Sequence, residues 1–202
     1  FLTVASETGL LAEIDRWTMQ QAMREVGEWH RQGLKPGHLS LNTTISQLKD
    51  ELFFERLEQA LEKNHFNPEW LELEITESEV MQRYEEIIAK LKLLHNKGIH
   101  IAIDDFGTGH SSLAYLKRLP ANKLKIDRSF ITDLPHNEES VAIVKAIIAL
   151  ANIVKLDIIA EGVETEEQKV FLIENGCDNI QGYYYGRPMP AEEMRKLLLK
   201  QQ

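Results

Sequence analysis

The sequence predicts an α/β fold of the TIM-type (β/α) barrel class, and three observations carry that reading. Short strand-like runs alternate with helix-length amphipathic runs six times along the 202 residues, the pattern of parallel strands joined by crossover helices. Within the strand-like runs, apolar residues tend to fall at every second position, which gives the sheet a dry face. The other face carries polar residues in all six runs. Helices covering both faces of an open sheet would bury those groups, whereas the interior and mouth of a barrel accommodate them. An open doubly wound sheet is the alternative, and it gives no reason for polar positions on every strand.

Ile14, Trp17, Ala22, Val26 and Trp29 recur at helical spacing and predict a helix over residues 14–32, stopped by Gly33. A Lys35-Pro-Gly turn leads into a strand over 39–44. A helix over 47–64 carries Leu48, Leu52, Phe53, Leu57 and Leu61 and is broken by Asn67-Pro68. Residues 71–76 alternate strictly as the second strand. The helix over 79–96 turns Val80, Tyr84, Ile87, Ile88, Leu91 and Leu94 inward and ends at Gly98. The third strand spans 100–106, and a short helix over 111–118 ends before Pro120. The fourth strand spans 123–127, the next helix 138–154 and the fifth strand 157–161. Thr165 and Gln168 form a capping box that opens a helix closed by Gly176. The sixth strand spans 179–183, and a last helix covers 191–199.

No linker or internal repeat interrupts residues 1–202, so the chain reads as one domain. An eight-stranded barrel of this class usually needs roughly 250 residues. Six strands therefore imply two further strands expected upstream of Phe1, and the lack of an initiator Met agrees. The net charge of −9 argues against a nucleic-acid polymer as partner. It leaves an anionic substrate possible where cations are bound. A lone Cys177 rules out an internal disulfide framework. With no apolar run of membrane-spanning length and no signal-peptide pattern, a cytoplasmic domain is expected, on a parent that other domains can anchor.

The chemistry gathers at the strand ends. Asn42, Glu74, Asp104 with Asp105, Asp127, Glu161 and Gln181 occupy the last inward positions of six strands, with Lys125 one pleat below Asp127. Strand parity puts Asp104 inside and Asp105 on the rim. Adjacent acids repel, and burying them is costly unless a cation compensates. An oxygen-only donor set favours Mg²⁺ or Mn²⁺, and two such ions suit in-line phosphoryl chemistry. Lys123 and Lys125 also have a purely structural reading, pairing with Glu72 and Glu74 inside the barrel. Tyr183 and Arg187, in the Tyr-Tyr-Tyr-Gly-Arg-Pro segment, are candidates for base stacking and phosphate contact. The seven histidines show no metal-ligand spacing, and His110 lies in the loop after the aspartates.

Six ordered motifs resemble the EAL domain family: Leu-Asn-Thr-Thr at 41–44, Glu-Ile-Thr-Glu-Ser at 74–78, Asp-Asp-Phe-Gly-Thr-Gly at 104–109, Leu-Lys-Ile-Asp-Arg-Ser-Phe at 124–130, Ala-Glu-Gly-Val-Glu-Thr at 160–165 and Gln-Gly-Tyr at 181–183. The resemblance runs over essentially the whole chain. It implies a bacterial phosphodiesterase that hydrolyses cyclic di-GMP to linear pGpG on a TIM-type barrel with two Mg²⁺ or Mn²⁺ ions. By the same resemblance, Asn42, Glu74, Asp104 and Asp105 are metal ligands, and Asp127 and Glu161 belong to the metal site. Lys125 positions the attacking water, and Gln181 bonds near it. Glu77 holds the loop after Asp105, a loop implicated in homodimer formation, and Glu164 is an acid supporting the ligands. An upstream sensory or GGDEF-type domain is the expected partner in the chain. The Glu-Ala-Leu triplet that names the family is absent, with its expected place before Phe1. Thr44 and His110 stand where serine and tyrosine are usual. An EAL domain that binds cyclic di-GMP without cleaving it, as a receptor, is the alternative.

Overall fold

The computed structural model describes residues 10–109 and 113–200. Six parallel strands form one sheet in the order β1 (Leu39–Asn42), β2 (Leu71–Thr76), β3 (His100–Phe106), β4 (Lys123–Ile126), β5 (Asp157–Ala160) and β6 (Asn179–Ile180). Each strand neighbours the next in sequence. A doubly wound sheet would reverse direction at a switch point, so this order rejects that alternative and describes an arc of a barrel. The helices are α1 (Leu11–Arg31), α2 (Ile45–Lys49), α3 (Phe53–Lys63), α4 (Glu77–Gln82), α5 (Tyr84–Asn96), α6 (Leu113–Leu116), α7 (Arg128–Ile131), α8 (Glu138–Val154), α9 (Glu166–Glu174) and α10 (Ala191–Lys200).

The outward strand residues build the core. Leu71, Leu73, Ile75, Ile101, Ile103, Leu124 and Ile126 are all buried, packed against Leu57, Ile87, Leu91, Leu94, Val144, Ile148 and Leu172 of the helices. Each such side chain contributes on the order of 2 kcal/mol of burial free energy. The inward parity is mostly polar, with Ala102 on β3 and Ile159 on β5 as apolar exceptions, so the strands alternate between the packing layer and the barrel interior.

Several boundaries differ from the sequence expectation, for local reasons. The helix expected over 47–64 is two helices. Asp50 leaves helical geometry (ψ 122°), and its carboxylate accepts from Leu52 N–H at 3.0 Å and pairs with Arg56 at 2.8 Å, a turn that competes with the helix. Thr44, expected as strand, caps α2 in a reciprocal capping box with Gln47. The helix over 79–96 divides at Arg83 (φ −130°) into α4 and α5, and no residue type there marks the break. The box of Thr165 and Gln168 is present as expected, and the Gln168 amide also donates to the carbonyls of Ile131 and Thr132, tying α9 to α7. Of the residues at helical spacing in α1, Trp29 is buried, together with Met23, while Ile14 and Trp17 are exposed. Ser111 and Ser112, expected to open the short helix, lie outside the described residues, as does His110.

The last strand stops at Ile180 rather than at Tyr183. Beyond it, the chain folds over the loop after β5: Val163 N–H donates to the Gln181 carbonyl and Tyr184 N–H to the Val163 carbonyl. Gly182 lies in this crossing, where a Cβ would stand 2.1 Å from the Val163 carbonyl oxygen and 2.4 Å from its nitrogen. Both contacts are backbone, so no rotamer relieves them. Gly182→Ala is expected to lose about 3 kcal/mol, read as a lower urea midpoint at unchanged m-value.

Candidate active site

The strand ends bring the acids together around one lysine. Lys125 projects from β4 and is 4% exposed. Its Nζ lies 2.7 Å from Glu74 Oε2 on β2, 3.1 Å from Asp104 Oδ1 on β3 and 2.8 Å from Glu161 Oε1 just past β5. Burial works against the ammonium charge, but hydrogen bonds to Glu161 and Glu74 outweigh it, and its pKa is raised. The structural pairing foreseen for the lysines is therefore present, Lys123–Glu72 at 2.6 Å and Lys125–Glu74, but Lys125 takes two further carboxylates. Burial pushes the Glu161 carboxyl up, against the pull of Lys125, with Asp104 and Glu74 adding to the rise.

Asp104 and Asp105 are consecutive, and a regular strand would send them to opposite faces. The register between β3 and β4 shifts between Ile103 and Phe106, and Asp105 takes a left-handed conformation with φ +52°. This bulge sets the Asp105 carboxyl close enough to Asp127 for the two charges to oppose each other. Burial, then the charges of Asp104 and Asp127, raises the Asp105 pKa. A left-handed non-glycine residue at a cluster of like charges is the kind of local strain found at functional sites.

Asp127 is not the last strand residue expected. It caps α7, with Oδ1 accepting from Ser129 N–H at 3.0 Å and from the Ser129 hydroxyl. That short helix had no periodicity to announce it, though Asp127 followed two residues later by serine is a capping signal. Asn42 ends β1 in register with Glu74 and is exposed. Gln181 lies just past β6, with its N–H on the Ala160 carbonyl at 2.9 Å. Tyr183 and Arg187 are exposed at the rim, where the guanidinium carbon lies 4.6 Å from the ring centre, a cation–π contact. Glu164 pairs with Arg128 at 2.7 Å, a partner the sequence reading did not single out. Cys177 is buried with its thiol pushed up to about 11 by burial, which leaves it no reactive thiolate.

Glu77 opens α4 and is 1% exposed. Its Oε2 accepts the N–H of Gly107 at 2.8 Å and of Gly109 at 3.3 Å. The loop after the aspartates is thus pinned by one buried carboxylate. Glu77→Ala leaves two amides without that acceptor and is expected to cost about 1–3 kcal/mol. Faster hydrogen exchange at Gly107 and Gly109, with the β2 amides unchanged, checks it.

The donor set is oxygen-rich: three carboxylates bond one lysine and Asp105 and Asp127 add two more beside them, so surplus negative charge gathers at the mouth. That chemistry fits a hard divalent cation. The fit is one of donors and charge: among the described residues, no three Asp, Glu, His or Cys side chains form a ready-made cage.

A singly wound parallel sheet with an acidic, lysine-bridged cluster at its C-terminal strand ends defines a barrel-type protein with its charged groups gathered at the mouth. The EAL domain model matches residues 1–188, and the chain belongs to that family. It is similar to the Pseudomonas aeruginosa protein named bifunctional diguanylate cyclase/cyclic di-GMP phosphodiesterase MucR, at 43% identity over 194 residues, 96% of this chain and 28% of that one. The chain spans about a quarter of the length of the curated relatives it matches. Among solved structures it resembles the PaMucR phosphodiesterase in complex with c-di-GMP, with a TM-score of 0.91 at 43% identity, covering 96% of this chain and 78% of that chain. It also resembles the manganese and cyclic di-GMP complex of Klebsiella pneumoniae BlrP1, with a TM-score of 0.76 at 28% identity, covering 87% and 44%. Among the described residues, no helix is long and apolar enough to cross a membrane.

Proposed function

We propose that this domain hydrolyses cyclic di-GMP to linear pGpG. Water adds to one phosphorus, the P–O3′ bond breaks, the 3′-oxygen takes a proton, and a 5′-phosphate remains on the product. The observation that carries the reading is the convergence of Glu74, Asp104 and Glu161 on Lys125, with Asp105 and Asp127 beside them, in a chain of this family.

Asn42, Glu74, Asp104, Asp105, Asp127 and Glu161 would hold Mg²⁺ or Mn²⁺, two ions in our reading. When bound, these ions supply Lewis-acid polarisation of the phosphate and a lower pKa for water. The rest is the work of the chain. Lys125 gathers three carboxylates on one ammonium and keeps positive charge where a phosphate must come. Ser129 fixes Asp127 and the bulge fixes Asp105, so neither acid reorganises on binding. Glu77 secures the loop behind them. Gln181, held past β6 by its N–H on the Ala160 carbonyl, would offer its amide to the site, and Glu164 anchors Arg128 across the adjoining loop. Tyr183 and Arg187 offer an aromatic face and a cation for base and phosphate at the rim. A homodimer through the loop after Asp105, an upstream sensory or GGDEF-type domain, and a cytoplasmic setting complete the proposal.

The test is incubation of the full-length protein with cyclic di-GMP and Mn²⁺, with products separated chromatographically. Conversion to pGpG that stops in EDTA is the expected result. Binding of cyclic di-GMP with no cleavage in either condition would overturn the hydrolase reading in favour of a receptor.

A further inference from the structure

One level below Lys125, inside the barrel, lies a second ion pair that the proposed reaction does not use. Lys123 Nζ is 2.6 Å from Glu72 Oε2, and the other oxygen of Glu72 accepts from the Ser40 hydroxyl at 2.9 Å. The Glu72 side chain is 3% exposed and that of Lys123 is 18%. Both lysines start on β4 and reach carboxylates on β2, so both cross β3. Ala102 is the inward residue of β3 at the crossing. It is fully buried and in register with Glu74 on one side and Lys123 on the other. Its methyl group leaves the space through which the lysines pass.

The register exposes a competition. The glutamate level with Lys123, across Ala102, is Glu74, yet Lys123 bonds Glu72, two residues back along β2. Lys125 makes the same backward reach and takes Glu74. We infer that Glu72 and Lys123 are a positioning pair: Glu72 holds Lys123 off Glu74, so that Lys125 alone joins Glu74 to Asp104 and Glu161. Without Glu72, the Lys123 ammonium turns to its level neighbour and displaces Lys125. Without Lys123, Glu72 is a buried charge without a counter-ion, and Lys125 is drawn down to it. Removing both groups leaves neither competitor. The functional consequence rests on the proposed hydrolysis; the pairing itself does not.

The test uses the full-length protein with Glu72→Gln, Lys123→Met, the double variant and Lys123→Arg. Each of Glu72→Gln and Lys123→Met is expected to lower kcat about tenfold with KM within about twofold, a loss confined to the reacting complex. The double variant is expected to recover to within about threefold of the parent, the signature of coupled sites. Lys123→Arg, which keeps a cation on Glu72, should stay in the same range. A crystal structure of Glu72→Gln should show Lys123 Nζ on Glu74, a readout that needs no turnover. Should the parent fail to cleave cyclic di-GMP, that structure still decides the positioning claim while the activity claim falls. Where a single variant does not fold, the double variant decides: near-parental kcat, or Lys125 still on Glu74 in its crystal structure, supports the pair. A double variant as impaired as the singles, or a Glu72→Gln structure with Lys123 away from Glu74, overturns it.

Discussion

Replacing Lys125 with methionine is expected to lower kcat for cyclic di-GMP by about a thousandfold, the upper range for loss of one preorganised electrostatic group. The same change is expected to destabilise the metal-free protein by about 3 kcal/mol, because it strands carboxylates buried around a missing charge. Both effects follow from one geometry: Nζ is the only atom shared by Glu74, Asp104 and Glu161 in the described site. Removing it leaves three acids of the same sign facing one another, 11, 14 and 20% exposed. Added Mn²⁺ is expected to return part of the lost stability, since a ligand that binds only the folded state raises the unfolding midpoint. Steady-state kinetics with urea unfolding in EDTA and in Mn²⁺ checks it. Turnover within tenfold of the parent and an unchanged midpoint would make Lys125 a bystander.

Asp105→Asn is expected to separate activity from stability. It should lower kcat at least about a hundredfold, by removing one charge from the oxygen donors of the mouth. The metal-free fold, however, should gain about 0.5–1 kcal/mol, as relief of repulsion at functional sites commonly does. Burial and the neighbouring Asp104 and Asp127 already oppose ionisation of this carboxyl. Asparagine is a clean substitution because it tolerates the left-handed backbone that Asp105 adopts at φ +52°. Alanine at the same place adds strain of about 1 kcal/mol and confuses the two effects. Kinetics and unfolding midpoints measured on the same preparation decide the matter. A variant that loses activity and stability together would mean that Asp105 serves the fold.

The strand faces were legible because a period of two is a strong signal: Leu71, Leu73 and Ile75 go outward, and Glu72 and Glu74 go inward, as read. The same parity located the acids that meet at Lys125. It went astray where side chains redirect the backbone. The bulge at Asp105 depends on hydrogen bonding and pairing across strands, which no local pattern encodes. Asp127 leaves the strand because its carboxylate is worth more as a helix cap. The break at Asp50 has the same origin, a short acid bonding its own neighbouring amides. The early end of β6 reflects a crossing with Val163, a residue 19 positions from the glycine that permits it. Trp17 at 65% exposed shows the limit of helical periodicity, which marks an apolar stripe without saying what covers it.

The most direct test of the proposed chemistry is a single-turnover reaction of the full-length protein with cyclic di-GMP and Mn²⁺ in ¹⁸O-labelled water. Attack of water at phosphorus predicts pGpG carrying one ¹⁸O in its 5′-phosphate, read by mass spectrometry, and no product when EDTA replaces Mn²⁺. Absence of product under the first condition, or product whose phosphate carries no label, would contradict the account.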